Sequence, residues 1–280
     1  MYLSHMAMTN NLAGPRFLNV EGGRVAYEVA GSGPLVLLVP GMGDLRSTYR
    51  HLAPTLRAAG YRVAVTDLRG HGDSEATFDT YGDVATAGDI EALVDHLGGP
   101  AVVVGNSMGA GAAALAAARR PDLVSGLVLV GPFVRDGSVG ALKRLAFRAV
   151  MARPWAVAAW SAYLPNLYAG TRPEDLDEHR DRIRASLRRP GYSRAFWLTT
   201  RTTHAPVEAR LGDVACPTLV VMGRLDPDFP DPAAEAGWIA EVTGGEVLLV
   251  DEAGHYPQSQ RPDVVGPAVV DFLARVTGRG

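Results

Sequence analysis

The chain has 280 residues, 47% of them hydrophobic and 20% charged, and a formal net charge of −3. That balance belongs to a globular chain long enough for a sizeable core, and it excludes recognition of nucleic acid or an anionic membrane through bulk positive charge. One cysteine, Cys216, excludes an internal disulfide framework and fits a reducing, cytoplasmic compartment.

Met1–Asn11 lacks the basic-then-apolar order of a secretory leader and is expected to lie outside the fold, as a disordered or vector-derived tail. Phe17–Val20 and Arg24–Ala30 alternate across Glu21-Gly22-Gly23, the pattern of an antiparallel hairpin. Leu35–Val39 is a continuous apolar run, which predicts a strand buried on both faces. The loop Pro40–Asp44 leads into a predicted helix over Leu45–Ala59. Tyr61–Thr66 is the next strand, Asp67–Ser74 a loop, and Val84–Leu97 an amphipathic helix.

Ala101–Val104 then runs into Gly105-Asn106-Ser107-Met108-Gly109, and an alanine-rich helix continues from Ala110 to Arg120 before Pro121. A G-x-S-x-G turn between a strand and a helix exposes its serine at the apex. The flanking glycines are needed because side chains there would strike the neighbouring strand and helix. Gly126–Val130 is the following strand, closed by Gly131-Pro132.

From Phe133 to Ala205 strand patterns vanish and helices are predicted near 139–152, 155–168, 173–188 and 192–203. This segment holds three of the four tryptophans, and 13 basic against 6 acidic residues. It reads as an inserted helical layer, either independent or roofing a pocket. The βα rhythm resumes with strand Pro217–Met222, helix Asp231–Val242, strand Glu246–Val250 and helix Val264–Val276. Strands alternating with helices in this way predict a mostly parallel sheet with right-handed crossovers.

A serine becomes nucleophilic only when a base takes its proton and a third group orients that base. Ser107, Asp226 and His255 each follow a predicted strand, in the order Ser, acid, His. Asp226 leads as the acid, with Asp228 and Asp231 as near alternatives and Asp136 as a distant one. Two backbone N–H groups are needed where negative charge develops. Met108, at a helix N-terminus, supplies one, and Met42, between Gly41 and Gly43, the other. His71 and Asp73 lack a second ligand pair, so the Asp67–Ser74 loop reads as a brace for the site. No metal site, dinucleotide fingerprint or P-loop occurs, and no cofactor is expected. Cys216, before Pro217 at a strand start, reads as structural.

With these residues quoted, the chain resembles the α/β-hydrolase superfamily over most of Phe17–Thr277. The resemblance rests on Gly41-x-Gly43, the Asp67–Ser74 loop, the serine turn, Gly223-x-x-Asp226 and Gly254-His255. It implies an α/β fold with about eight strands, a core of residues 12–132 and 206–280, and a helical cap over 133–205. Pro40 stands where many relatives have histidine, so the oxyanion loop must be braced otherwise. Asn106, Met108 and Gly131-Pro132 look like the meta-cleavage-product hydrolases, which break C–C bonds, although Tyr256 replaces their usual tryptophan. Serine at position 107 argues against epoxide hydrolases and haloalkane dehalogenases, which use a carboxylate nucleophile.

The resemblance implies a serine hydrolase of esters or lactones. The alternatives are C–C hydrolysis of an aromatic catabolite and a slow-turnover ligand receptor. The expected partner is a small molecule only, bound by a monomer or homodimer. Gly41, Trp155, Trp160, Arg194, Trp197 and Tyr256 are the expected substrate contacts, with Arg153 a second arginine able to take a carboxylate.

Overall fold

The computed structural model describes residues 14–137 and 141–279; the expected N-terminal tail lies outside them. Eight strands form one sheet: β1 Arg16–Val20, β2 Gly23–Ala30, β3 Leu35–Val39, β4 Arg62–Thr66, β5 Ala101–Asn106, β6 Val124–Val130, β7 Thr218–Gly223 and β8 Glu246–Val250. Their order is β1-β2-β4-β3-β5-β6-β7-β8. β2 runs antiparallel to β1 and β4, and every other pairing is parallel.

The central strands are apolar throughout because both faces are covered. In β3, Leu35, Leu37 and Val39 join one core, and Val36 and Leu38 the other. The first core takes Ile90 and Leu93 from α2 (Asp83–His96), the alanines of α3 (Met108–Arg119), and Ile239 from the helix Pro232–Thr243. The second takes Leu52 and Leu56 from α1 (Leu52–Ala58) and Val269 and Phe272 from the closing helix Pro262–Thr277. The chain therefore leaves β3 toward one face and β5 toward the other. Those two loops diverge at the carboxyl end of adjacent parallel strands, where open α/β sheets hold their ligands.

One predicted helix is split. Instead of Leu45–Ala59, a 3-10 turn over Arg46–Tyr49 precedes α1. Pro54 has no N–H for the carbonyl of Arg50, so it fits only the first turn of a new helix. Among the described residues between β6 and β7 the regular elements are helical: α4 Ala141–Val150, α5 Ala156–Leu167, α6 Leu176–Leu187, α7 Tyr192–Thr199, α8 Ala205–Glu208 and a 3-10 turn over Leu211–Asp213. The start of the helix expected near 139–152 lies outside the described residues. A third cluster joins this insertion to the sheet's carboxyl end: Trp160, Leu164, Tyr168, Ile183 and Phe196 pack with Tyr256, flanked by Met42 and Leu45.

Gly105 is where β5 and α3 come closest. A Cβ there would lie 2.4 Å from the Gly109 carbonyl oxygen and 2.5 Å from Ala110 Cα. Both are backbone atoms, so Gly105→Ala must push helix and strand apart. The expected cost is about 1–3 kcal/mol, read as a fall of several degrees in a thermal unfolding curve; an unchanged midpoint refutes it.

Candidate active site

Ser107 sits between β5 and α3 with φ 57 and ψ −125, a left-handed conformation that a non-glycine residue adopts only where its surroundings enforce it. Its N–H donates to Val130 O at 2.9 Å, and its carbonyl accepts from Ala110 at 3.0 Å and Phe133 at 3.3 Å. Asn106 Nδ2 donates to Val130 O at 3.1 Å and to His255 O at 3.2 Å. The asparagine thus ties the serine turn to the histidine loop, and Ser107 is the least buried residue of that turn.

The loops after β7 and β8 are zipped together, Leu225 N–H donating to Ala253 O at 2.9 Å. They bring Asp226 Oδ2 to 2.7 Å from His255 Nδ1, with both residues almost wholly buried. Asp228 is also close, its Oδ2 4.0 Å from the same nitrogen, but its Oδ1 accepts from the Tyr163 hydroxyl at 2.5 Å. Asp231 instead caps the helix Pro232–Thr243, accepting from Ala234 N–H at 3.0 Å. Asp136 accepts from His204 N–H at 2.9 Å.

Burial disfavours a charged His255. The Asp226 carboxylate outweighs it through charge and hydrogen bond, and with Asp228 and Asp44 it lifts the imidazole to about 9. Burial holds Asp228 above the usual carboxylate range, against the pull of His255 and Tyr163. Asp226, Asp228 and His255 lie within 4.8 Å of one another, a spacing that could hold a metal ion. Their inward atoms, however, are engaged with each other and with Tyr163, which is the pattern of an oriented imidazole. Ser107 Oγ and His255 Nε2 have no hydrogen-bond partner among the described residues. Both are therefore open to a reacting group, and such bonds commonly tighten only when substrate binds.

The loop after β3 closes the site's other side. A Cβ on Gly41 would stand 2.6 Å from Ser107 Cβ, so only glycine lets this loop approach the serine so closely. Gly43 N–H donates to His71 Nε2 at 2.9 Å, and His71 Nδ1 lies 2.9 Å from Arg69 O. Burial keeps His71 near a pKa of about 4. It is therefore neutral, with its proton on Nδ1 and a lone pair for Gly43. This is the brace expected of the Asp67–Ser74 loop, supplied from a strand away in place of a histidine at Pro40. Neither Met42 nor Met108 donates its backbone N–H to any described residue, which leaves both donors available.

The remaining expected contacts divide. Trp160 is buried and donates Nε1–H to Gly43 O at 2.8 Å. Tyr256 meets the His255 ring at 5.1 Å and stacks on Tyr168 at 4.7 Å. Trp155 is 54% exposed, and Arg153 and Arg194 are exposed as well. Trp197 packs under Arg201. On α7 the inward position belongs to Phe196, one residue earlier and about 100° round the helix, against Trp160 and His71. Trp155 and Arg194 are thus exposed, and Trp197 is half-buried beside Arg201. A cavity of about 540 Å³ lies beside the site, lined in part by Arg46, Arg50, Arg182 and Arg189. Neither Ser107 nor His255 lines it, and Glu28, Asp67 and Asp73 neutralise Arg46 while Asp175 neutralises Arg50. Phe133, 5.7 Å from the His255 ring, Tyr163 and His179 are neighbours that sequence patterns did not single out.

A profile described as alpha/beta hydrolase family matches residues 36–268. A 2-(acetamidomethylene)succinate hydrolase from Mesorhizobium japonicum is 28% identical, over 96% of this chain and 99% of its own. A 2-hydroxy-6-oxo-6-phenylhexa-2,4-dienoate hydrolase from Comamonas testosteroni is also 28% identical, over 89% of this chain and 91% of its own. Among solved structures, the enol-lactonase from Burkholderia xenovorans superposes with a TM-score of 0.75 at 26% identity, covering 92% of this chain and all (100%) of that one.

The His255–Asp226 contact has a measurable signature. The His255 imidazole should titrate near 9 by NMR, above the 6.5 of a free imidazole, and Asp226→Asn should bring it down. Because the folded value is the raised one, its contribution to stability is full below 6.5 and is lost as pH rises through about 9. A titration at or below 6.5 in the native protein contradicts the pairing.

Proposed function

The chain belongs to the alpha/beta hydrolase family, and on that premise we propose a serine hydrolase that cleaves small carboxylic esters or lactones through an acyl-enzyme. The observation that carries the reading is His255 Nδ1 held 2.7 Å from the buried Asp226 carboxylate, beside a serine turn that presents its hydroxyl. With Nδ1–H committed to Asp226, Nε2 of the neutral imidazole is the basic nitrogen. Because that imidazole gives up its second proton only at about 9, turnover should rise with pH toward that value. Nε2 takes the Ser107 proton as Oγ attacks the carbonyl carbon, and Asp226 stabilises the imidazolium that forms. The carbonyl oxygen becomes an oxyanion bound by the N–H groups of Met42 and Met108, the latter at the positive end of α3. His255 then protonates the leaving oxygen. A water deprotonated by the same nitrogen attacks the acyl-enzyme and releases the acid. In this reading the insertion is a cap, residues 133–205, over the core.

A second reading, hydrolysis of a carbon–carbon bond, draws support from the Comamonas testosteroni relative and from Asn106 and Met108 in the serine turn. Substrates separate the two: the ester reading expects turnover of p-nitrophenyl esters or simple lactones, the other turnover of a vinylogous diketone alone.

Ser107→Ala should lose on the order of 10⁶ in turnover while keeping the wild-type fold by circular dichroism. Near-wild-type rates in that variant overturn the proposal. For the acid, Asp226→Asn is expected to lose on the order of 10⁴ and Asp228→Asn to stay close to wild type; the reverse order moves the role to Asp228.

A further inference from the structure

The insertion reaches the two loops on which the proposed chemistry depends. Trp160, on α5, donates Nε1–H to Gly43 O at 2.8 Å. His179, on α6, places Nε2 2.8 Å from Asp44 Oδ1, and both side chains are fully buried. The same Asp44 oxygen accepts from Leu45 N–H at 2.7 Å, and His179 Nδ1 lies 3.3 Å from Ser47 Oγ. At the end of α5, Leu167 O accepts from His255 N–H at 2.7 Å, and in the connection to α6 Thr171 N–H donates to Glu252 O at 2.8 Å. Outside this line of contacts, Arg50 grips Asp175 at 2.5 and 2.6 Å.

These contacts have a chemical requirement. Gly43 has φ 71, and a Cβ there would lie 2.4 Å from Trp160 Nε1, so the indole is seated in the space a side chain would fill. The Asp44 carboxylate is wholly removed from water, and a charge so placed needs its partner. Burial opposes the charge, but His179 and the Leu45 N–H hold Asp44 below its usual range. With Asp44 ionised, His179 Nε2 must carry the proton and donate it. One core residue, His71, holds the N–H of Gly43; two insertion residues hold its carbonyl and the next side chain. The turn that carries the Met42 N–H is therefore fixed from both sides.

We infer that His179 and Trp160 are positioning residues for the oxyanion donor, so that the α5–α6 half of the insertion is part of the catalytic framework and not a lid that swings clear of it. The inference rests on the serine-hydrolase reading. An oxyanion donor acts only once the oxyanion forms, so misplacing it lowers kcat and kcat/KM together and leaves ground-state binding unchanged. A residue that merely stabilised the fold would not make that split.

The test compares wild type, Ser107→Ala, His179→Ala, His179→Gln and Trp160→Phe on a short-chain p-nitrophenyl ester. It adds the affinity of an aryl trifluoromethyl ketone, which forms an oxyanion when Ser107 adds to it, and that of the product carboxylate. His179→Ala and Trp160→Phe should each lower kcat about ten- to a hundredfold, short of the roughly 10²–10³ for outright loss of a donor. Ketone affinity should fall in parallel, with KM and carboxylate affinity unchanged. His179→Gln, which keeps an N–H near the Nε2 position, should recover much of the loss. Should His179→Ala fail to fold, Trp160→Phe, which deletes one N–H within a retained aromatic, carries the same test. Wild-type kcat and ketone affinity in Trp160→Phe and His179→Gln, together with a His179→Ala whose ketone and carboxylate affinities fall equally, overturn the inference. A wild-type protein with no Ser107-dependent hydrolysis or ketone binding overturns the serine-hydrolase reading itself, and this inference with it.

Discussion

The close approach of α3 to the central strands is the constraint from which the rest of the site follows. Ser107 is held at a positive φ because β5 must turn abruptly into a helix that packs against the sheet it has just left. Gly105 and the alanines of α3 permit that contact: eleven consecutive helix residues, Met108 to Ala118, are buried, and nine of them are glycine or alanine. Leucines at the glycine and alanine positions would hold the helix further out, and its N-terminus would no longer point at the end of β5. The same approach sets the direction of the Met108 N–H, one donor of the proposed oxyanion hole, since Met108 opens α3 and has no turn before it to accept its N–H.

The second constraint is electrostatic. Four ionisable side chains near the serine, Asp44, His179, Asp226 and His255, are removed from water, where an unpaired charge is costly. They are arranged as two carboxylate–imidazole pairs, each joining separate pieces of chain: Asp226 with His255 across the loops after β7 and β8, and Asp44 with His179 across core and insertion. The pairs differ in what their free nitrogen meets. His255 Nε2 has no hydrogen-bond partner among the described residues, while His179 Nδ1 lies against Ser47 Oγ. An imidazole with one nitrogen open can move a proton; one engaged at both can only hold a position. In the proposed mechanism the same residue types thus serve reactivity in one pair and placement in the other.

The parts of the fold legible in the sequence were those set by local pattern. Continuous apolar runs marked the buried strands, alternation marked the hairpin, and the strand–turn–helix context marked Ser107. Asp226 was less legible than His255, because Asp226 and Asp228 share one loop and only a distance separates 2.7 from 4.0 Å. Within the insertion composition is a weak guide to placement. Tryptophan and arginine content suggested Trp155, Trp197 and Arg194 as substrate contacts, but helical phase, not composition, decides what faces inward. Phe196 occupies the inward position on α7, and Trp155 bonds Ala149 O on the outside. His179 carried no signal, because its partner Asp44 is 135 residues away and a lone histidine on a charged helix resembles a solvated one.

That long-range pair also bears on how the insertion can function. A roof that opens for each substrate must break whatever fastens it to the core, and here the fastenings are the bonds that orient Gly43, Asp44 and His255. Opening along α5 and α6 would strip His179 from a buried carboxylate and Trp160 from its carbonyl, disassembling the site as it admitted the substrate. Access is therefore better served by the parts of the insertion outside this line. Among them α4 exposes Leu145, Phe147 and Val150 to solvent and joins none of these contacts. If the proposed chemistry is right, the insertion is thereby divided by its bonding into a portion that must stay fixed, α5 and α6, and a portion outside these contacts, α4. On that reading the strand ends speak to the reaction class, while the substrate must be sought in helices whose sequence says little.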